Sequence, residues 1–297
     1  MKRNLSFVLI LCAAVLWGTT GTTQAFAPEH TNPISFGTMR LVFGGATMLL
    51  FVLLQRKLFV KNWRYKYALL AAISMACYQP LFFTGVKLTG IAVGTVVGIG
   101  SAPILAGLLE WLFRKKKPKM NWYIATFFAL SGCIMLFGNQ SSLFIDPLGI
   151  ALSIGAGLSF AVYTIISKEL LETHTPDVVV AVVFSMSACF LLPFLFFTDL
   201  TWLFEFRGLA TSLYLGVFAT GFAYLLFAKG LSHVPSSTAV TLTLAEPLTA
   251  TLLGAFIIGE ALSFTSWVGI ALLLMAIIIL SMTSNKQHVQ QVTVVRD

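Results

Sequence analysis

Apolar runs of about 20 residues, separated by short polar segments, follow one another along the whole chain. About 20 helical residues cross the hydrocarbon core of a bilayer. A backbone in lipid must satisfy its own hydrogen bonds, and these runs lack the alternation of barrel strands. The pattern therefore predicts an all-α integral membrane protein with ten transmembrane helices. The runs are Ser6–Phe26, Pro33–Leu54, Lys66–Val86, Ile91–Phe113, Asn121–Gly138, Pro147–Ser167, Asp177–Phe197, Arg207–Ala228, Ser236–Ile257 and Ser263–Thr283.

The composition excludes a soluble protein. Hydrophobic residues make up 58% of the 297 residues, charged residues only 10%, and the mean hydropathy is +0.89. A soluble domain carries about a quarter charged residues. The net charge of +8 lies in short clusters between apolar runs. Because it does not form one basic face, we expect the lipid bilayer, and not nucleic acid, as the partner of these charges.

The basic residues also predict the orientation. With the N-terminus in the cytoplasm, sixteen Lys and Arg residues fall in inside segments and only Lys87 and Arg207 fall outside. Cytoplasmic loops carry such an excess. We therefore expect a multi-pass protein of the cell membrane with both termini cytoplasmic.

The two halves of the chain resemble each other at a shift of about 144 residues, which aligns Pro103 with Pro247. Each half holds five spans, an odd number, so the second half enters the membrane inverted. This plan is typical of secondary transporters, whose site lies near the midplane between the repeats. We expect a first repeat at residues 1–140, a second at 146–284 and a cytoplasmic tail at 285–297, whose polar composition predicts disorder.

Several motifs resemble a known family. Trp17-Gly18, Arg40 and the stretch from Tyr224 to Gly269, which includes Ala245-Glu246-Pro247 and Gly259-Glu260, resemble the drug/metabolite transporter superfamily and its ten-helix EamA-type branch. One departure is the run from Phe113 to Lys117, where that family has Gly-Glu. The resemblance implies a transporter of small metabolites, amino acids among them, often directed outward.

Two charged residues lie inside spans. Glu246 is at the centre of the ninth span, next to Pro247, which can bend the helix. An ionised side chain there costs roughly 2.5–3.5 kcal/mol even on lenient scales. Glu246 could bind a cation, take up a coupling proton, or only fix the kink. Arg40, about 10 Å deep at 1.5 Å per residue, could bind a substrate carboxylate or pair with Glu260. Glu110 is near a span end, where we expect it to reach the headgroups.

Aromatic and amide side chains at mid-depth complete the candidate site. They lie too deep for the aromatic belts at the membrane surface, and each could equally line a pocket or pack between helices. Together with Glu246 and Arg40, they predict a partly aromatic substrate cavity. These candidates are Trp17, Tyr78, Gln79, Tyr163 and Tyr224.

The sequence lacks the motifs of several other functions. It has no P-loop pattern, its histidines lie in loops or the tail, and no Asp lies deep in a span. The four cysteines fall inside apolar runs without paired spacing, so we expect buried, unpaired thiols. We therefore predict neither a cofactor nor a metal site.

These observations favour a secondary transporter for small organic solutes that works by alternating access. A membrane-embedded enzyme acting on a lipid or small amphiphile is the alternative, but Glu246 is almost alone at the midplane and an enzyme needs converging titratable groups. A channel is a third option, for which lining charges or a filter-like repeat are missing. The sequence names neither the substrate nor the oligomeric state.

Overall fold

The computed structural model describes residues 3–57, 63–137, 146–259 and 262–294, and within them helices are the only regular structure. Nine helices of the described residues are long and apolar enough to span a membrane, and a tenth, Met120–Leu136, is apolar but shorter. The ten-helix prediction is confirmed. We name the helices α1 (Arg3–Ala25), α2 (Pro33–Leu54), α3 (Tyr65–Thr89), α4 (Val93–Arg114), α5 (Met120–Phe137), α6 (Pro147–Leu170), α7 (Pro176–Phe197), α8 (Phe206–Leu231), α9 (Ser236–Ile257) and α10 (Phe264–Val294).

Local sequence explains where several helices begin. Asn32 and Asp146 each precede a proline and accept hydrogen bonds from backbone N–H groups of the following turn, at 2.9 Å for Ile34 and 2.8 Å for Leu148. The proline then occupies the first helical position, where its missing N–H costs nothing.

The segment from Tyr65 to Arg114 is helical throughout, yet it forms two spans. A Cβ atom on Gly94 would lie 2.6 Å from Cα of Val86. Residues eight apart in a straight helix are about 12 Å apart. The chain therefore reverses between α3 and α4, as the sequence predicts.

The packing of the helices follows the repeat. Helix α1 packs against α8 and α9, while α6, its counterpart in the second half, packs against α3 and α4. The equivalent pairs α2 with α7 and α5 with α10 also contact each other. When each helix is replaced by its counterpart in the other half, the same helix pairs are in contact, as two inverted five-helix repeats require. The exact repeat limits, 1–140 and 146–284, stay predictions.

The outer face of the bundle is apolar. Large side chains such as Phe127, Leu148 and Ile278 are more than half exposed, which suits contact with lipid and not with water. Three of the four unpaired cysteines also lie on this exposed surface, and only Cys133 is buried. The prediction that all four are buried is wrong, because the outward face of each span meets lipid.

The end of the chain differs from the sequence prediction. Residues beyond Thr283, expected to be disordered, continue α10 as helix to Val294. No glycine or proline follows Thr283 to end the helix. The remainder of the predicted tail, residues 295–297, lies outside the described residues.

Two helices of the second repeat are interrupted at mid-depth. Helix α8 contains a π-helical turn at Val217–Phe222. Helix α9 breaks at Thr243 and Leu244, where Pro247 has no N–H to donate to the Thr243 carbonyl; the Glu246 N–H bonds it instead, at 2.8 Å. Glu246 therefore lies in the first turn of a new helical segment, Ala245–Leu253.

Candidate functional site

A central cavity of about 540 Å³ lies between α1, α2, α3, α4, α6, α8 and α9. It extends along α1 from Trp17 to Ala25 and reaches the exposed residues Ala25 and Lys87, so it is open at that end of the bundle. Six of the seven residues that the sequence nominates line it: Trp17, Arg40, Tyr78, Gln79, Tyr224 and Glu246.

Arg40 is held by the interrupted part of α8. Its Nε donates to Oγ1 of Thr220 at 2.7 Å and its Nη2 donates to the Ala219 carbonyl at 3.1 Å. Both acceptors lie in the π-helical turn, a feature that is frequent at functional sites. These bonds use two of the five N–H donors of the guanidinium. The other donors are available to a ligand in the cavity that Arg40 lines.

Arg40 was also expected to pair with Glu260, but Glu260 lies outside the described residues. Within the described residues, the contacts of Arg40 with α8 hold its side chain in the bundle. Its position on the cavity wall leaves the carboxylate-binding interpretation open.

Glu246 lines the same cavity and is partly buried. Among the described residues, no hydrogen bond or ion pair engages its carboxylate, and none joins it to Arg40. Its position in the first turn of Ala245–Leu253 places it at the positive end of a short helix dipole. Transporters often form their substrate and ion sites at broken helices near mid-depth.

Aromatic rings form the inner end of the cavity. The Trp17 ring centroid is 4.7 Å from that of Tyr224 and 5.9 Å from that of Phe160, and all three residues line the cavity. Phe227 packs behind them, 5.4 Å from Trp17. We call Trp17, Phe160, Tyr224 and Phe227, together with Tyr163 and Phe184, the aromatic layer.

Tyr163 does not line the cavity. It is 1% exposed and packs edge-on against Tyr224 and Phe184, with centroids 5.7 and 5.9 Å away. Its ring lies behind that of Tyr224 and supports the cavity wall. A direct substrate contact for Tyr163 would require rearrangement of these rings.

Two buried polar atoms on the cavity wall lack a partner. Nε1 of Trp17 and Oγ1 of Thr20 make no hydrogen bond in the described structure. An unsatisfied buried donor or acceptor costs about 1–3 kcal/mol.

The sequence did not nominate several wall residues: Thr20, Phe82, Phe83, Phe160 and Thr243. Phe82 and Phe83 follow Tyr78 and Gln79 at a spacing of four, so they share one face of α3. This spacing in the sequence could have identified Phe82 and Phe83 as wall residues.

Gly18 sets the distance between α1 and α9. A Cβ atom at this position would lie 2.5 Å from Cβ of Thr249 and 2.8 Å from the Glu246 carbonyl oxygen. No side chain fits there without moving one of the helices. In the Trp17-Gly18 pair, Trp17 therefore lines the cavity, and Gly18 allows the close approach of α1 and α9 that positions Glu246.

Gly18→Ala is expected to lower the stability of the folded protein by about 1–3 kcal/mol, the usual cost of overpacking. Thermal unfolding of the purified protein in detergent measures the effect. Gly21→Ala is the matched control, since Gly21 lies one turn away and a Cβ atom there meets nothing within 4 Å. Equal melting temperatures for the two variants would contradict the close approach.

The opposite end of the bundle is closed by two charged groups, the buried Glu110 and the half-buried Lys168. Glu110, only 4% exposed, accepts hydrogen bonds from the backbone N–H groups of Ser236 and Ser237, at 3.0 and 2.9 Å. Nζ of Lys168 donates to the carbonyls of Leu231, at 2.7 Å, and Val234. Together they fasten the loop between α8 and α9 to α4 and α6. The expectation that Glu110 reaches the headgroups is wrong, because the start of α9 offers it two N–H donors inside the bundle.

Comparison with known proteins agrees with this architecture. The EamA-like transporter family matches the chain twice, at residues 4–138 and 147–282. A protein of Bacillus subtilis (strain 168) named "Uncharacterized transporter YwfM" is 55% identical over 287 residues, which cover 97% of each chain. The "Uncharacterized inner membrane transporter YicL" of Salmonella typhimurium (strain LT2) is 27% identical over 94% of this chain and 95% of its own.

A solved crystal structure shares the fold, with a TM-score of 0.81 at 18% identity over 95% of this chain and 98% of that chain. The family matches cover most of both five-helix halves, and the family and its relatives are transporters and not enzymes. The chain belongs to the EamA-like transporter family and is a multi-pass membrane transporter.

Proposed function

We propose that the chain is a secondary transporter that exports small organic metabolites, such as amino acids, by alternating access through the central cavity. The observation that carries this proposal is that one cavity brings together Arg40, the carboxylate of Glu246 and a wall of aromatic rings. Its volume of about 540 Å³ lies within the range of small-molecule sites, about 300–1,000 Å³.

The chemistry of the wall suits a zwitterion with an apolar side chain. The free N–H donors of Arg40 match a carboxylate. Glu246 matches an ammonium group, and the rings of Trp17, Tyr78 and Tyr224 match an apolar or aromatic side chain. A ligand with only one of these groups would leave the other charged side chain unpaired in the cavity, at a cost of binding free energy.

The orientation of the central cavity rests on the distribution of charge. If both termini face the cytoplasm, the central cavity opens to the outside and the end fastened by Glu110 and Lys168 faces the cytoplasm. A proton is the proposed coupling ion, with Glu246 as its carrier.

If both termini face the cytoplasm, a cysteine in place of Lys115 should react with an impermeant maleimide only from the cytoplasmic side.

Counterflow in reconstituted vesicles tests the proposal. Vesicles loaded with unlabelled amino acid should take up the labelled amino acid, saturably and without chemical change. Arg40→Gln should weaken the apparent affinity for amino acids at least tenfold, while the corresponding amines, which lack a carboxylate, lose little. Arg207→Gln is the matched control, because Arg207 is exposed at the start of α8 and does not line the cavity.

Three results would contradict the proposal. Product formation would identify an enzyme, linear and non-saturating flux would identify a pore, and equal losses for amino acids and amines in Arg40→Gln would remove Arg40 from carboxylate recognition. A thermal-shift screen of amino acids and amines selects the substrate for this assay.

A further inference from the structure

A second cavity, also of about 540 Å³, lies at the other end of the bundle. Its wall is formed by the segment between α4 and α5, the loop between α8 and α9, and the side chains of Phe7 in α1 and Leu280 in α10. The segment from Lys115 to Lys119 has no regular secondary structure, and the backbone of Lys115 has a φ of 51°, which ends α4 abruptly. Because the helix ends at this turn, the lysines that follow it lie along the cavity.

The wall carries a large excess of positive charge. Its cationic residues are Arg114, Lys116, Lys117, Lys119 and Lys168, and the only carboxylate among its described residues is that of Glu110. That carboxylate is already occupied by the N–H groups of Ser236 and Ser237. Among the described residues it forms no ion pair with these lysines, and one carboxylate against five cations leaves the wall with a net positive charge.

Several of these cations already have partners. Arg114 pairs with Glu169, at 2.9 Å, and with Glu172, at 2.5 Å. Lys168 bonds to backbone carbonyls, and Nζ of Lys117 lies 5.2 Å from the centroid of the Trp111 ring.

Lys116 and Lys119 are different. No ion pair or hydrogen bond within the described chain engages either ammonium group. A general excess of basic residues at the cytoplasmic surface accounts for the presence of lysines. It does not account for their convergence, with Lys168 and His233, on one cavity.

The rest of the wall is apolar. Phe7, Trp122 and Leu280 line the cavity beside the lysines. A site with ammonium groups on one side and hydrocarbon on the other matches an amphiphilic anion. Basic pockets between transmembrane helices bind anionic lipid headgroups, and lysine binds phosphate as a point charge.

We propose that this cavity binds a phosphate-bearing anion, the headgroup of an anionic phospholipid, through Lys116 and Lys119, with the glycerol and acyl portion against Phe7 and Leu280. The bound phosphate supplies the counter-charge that the described residues of the wall do not. The site is separate from the central cavity, and the proposal does not depend on the nature of the transported solute.

Lipid titration of the purified full-length protein tests this site. Short-chain phosphatidylglycerol, short-chain phosphatidylcholine and inorganic phosphate are added separately, and the thermal unfolding midpoint is measured. We expect phosphatidylglycerol to raise the midpoint saturably and phosphatidylcholine to have little effect. The double variant K116Q/K119Q should weaken the apparent affinity for phosphatidylglycerol at least tenfold, and added salt should weaken it in the unmodified chain.

Lys115→Gln is the matched control, because Lys115 lies in the same segment but does not line the cavity. Native mass spectrometry, which counts bound phosphatidylglycerol molecules, gives a second measure that does not depend on the stability of the variants. The proposal is overturned if phosphatidylcholine stabilises as well as phosphatidylglycerol, or if K116Q/K119Q retains full affinity and lipid count. A lysine-dependent shift with inorganic phosphate alone supports the anion site but replaces the lipid by a free phosphate.

Discussion

Glu246→Gln is expected to abolish transport driven by an imposed proton gradient. Glutamine keeps the size of the side chain and an acceptor oxygen, but it cannot take up or release a proton. Among the described residues the Glu246 carboxylate has no hydrogen-bond or ion-pair partner that shares its charge. The measurement compares gradient-driven accumulation with counterflow at equal pH on both sides of the vesicle membrane.

The two measurements separate the functions proposed for Glu246. If the carboxylate carries the coupling proton, counterflow remains while accumulation is lost. If it holds the ammonium group of the substrate, binding itself weakens about tenfold or more, because an unpaired buried group costs about 1–3 kcal/mol. Glu205→Gln, at an exposed position that does not line the cavity, controls for the loss of a negative charge. Normal accumulation, pH dependence and binding in Glu246→Gln would leave it a structural residue beside Pro247.

Much of the fold could be predicted because lipid restricts what a sequence can do. A run such as Pro147–Ser167 has to be helical and has to cross the bilayer, and α6 covers it from Pro147 to Leu170. The same restriction led to the cavity. A charged side chain at mid-depth must face the interior of the bundle, so Arg40 and Glu246 meet in one space.

The rotation of each helix about its axis was harder to predict. Tyr78 and Tyr163 give the same signal in the sequence, a tyrosine at mid-depth, but only Tyr78 lines the cavity. Residues of a helix are spread around its axis, and which face meets the cavity depends on how neighbouring helices pack. Tyr163 faces Phe184 and Tyr224 because α6 meets α7 and α8 at that depth.

Contacts between the two repeats could not be predicted for a related reason. Glu110 lies near the end of α4, and position alone assigns it to the headgroups. Its partners, Ser236 and Ser237, are more than 120 residues away in the chain. They come close because helices of one repeat pack against helices of the other, so that α4 contacts the start of α9.

The residues between the two cavities indicate how access to the central cavity alternates between the two sides of the membrane. The central cavity ends at the aromatic layer, and beyond it the loop between α8 and α9 is fastened by Glu110 and Lys168. Opening of the second end requires that this loop leave α4. The bonds of Glu110 must then break, and water must satisfy the N–H groups of Ser236 and Ser237.

Glu110→Ala is therefore expected to shift the protein towards the state that is open at this end. Hydrogen bonds to a charged group contribute about 1.5–3 kcal/mol, so their loss favours opening by about 10- to 150-fold. Cysteine reactivity measures the shift in a background without native cysteines. A cysteine at Val234, which is 1% exposed, should react faster in Glu110→Ala, and a cysteine at Gln24 in the central cavity should react more slowly.

The opposite changes at the two positions distinguish a shift between states from simple loosening of the fold. Glu172→Ala is the matched control, because Glu172 is a half-exposed acid at the same end of the bundle and pairs with Arg114 without contacting the loop. Glu110→Gln, which retains one acceptor oxygen, should give an intermediate rate at Val234. If both cysteines react faster, or if neither rate changes while the melting temperature falls, Glu110 only caps α9 and the barrier to opening lies elsewhere in the bundle.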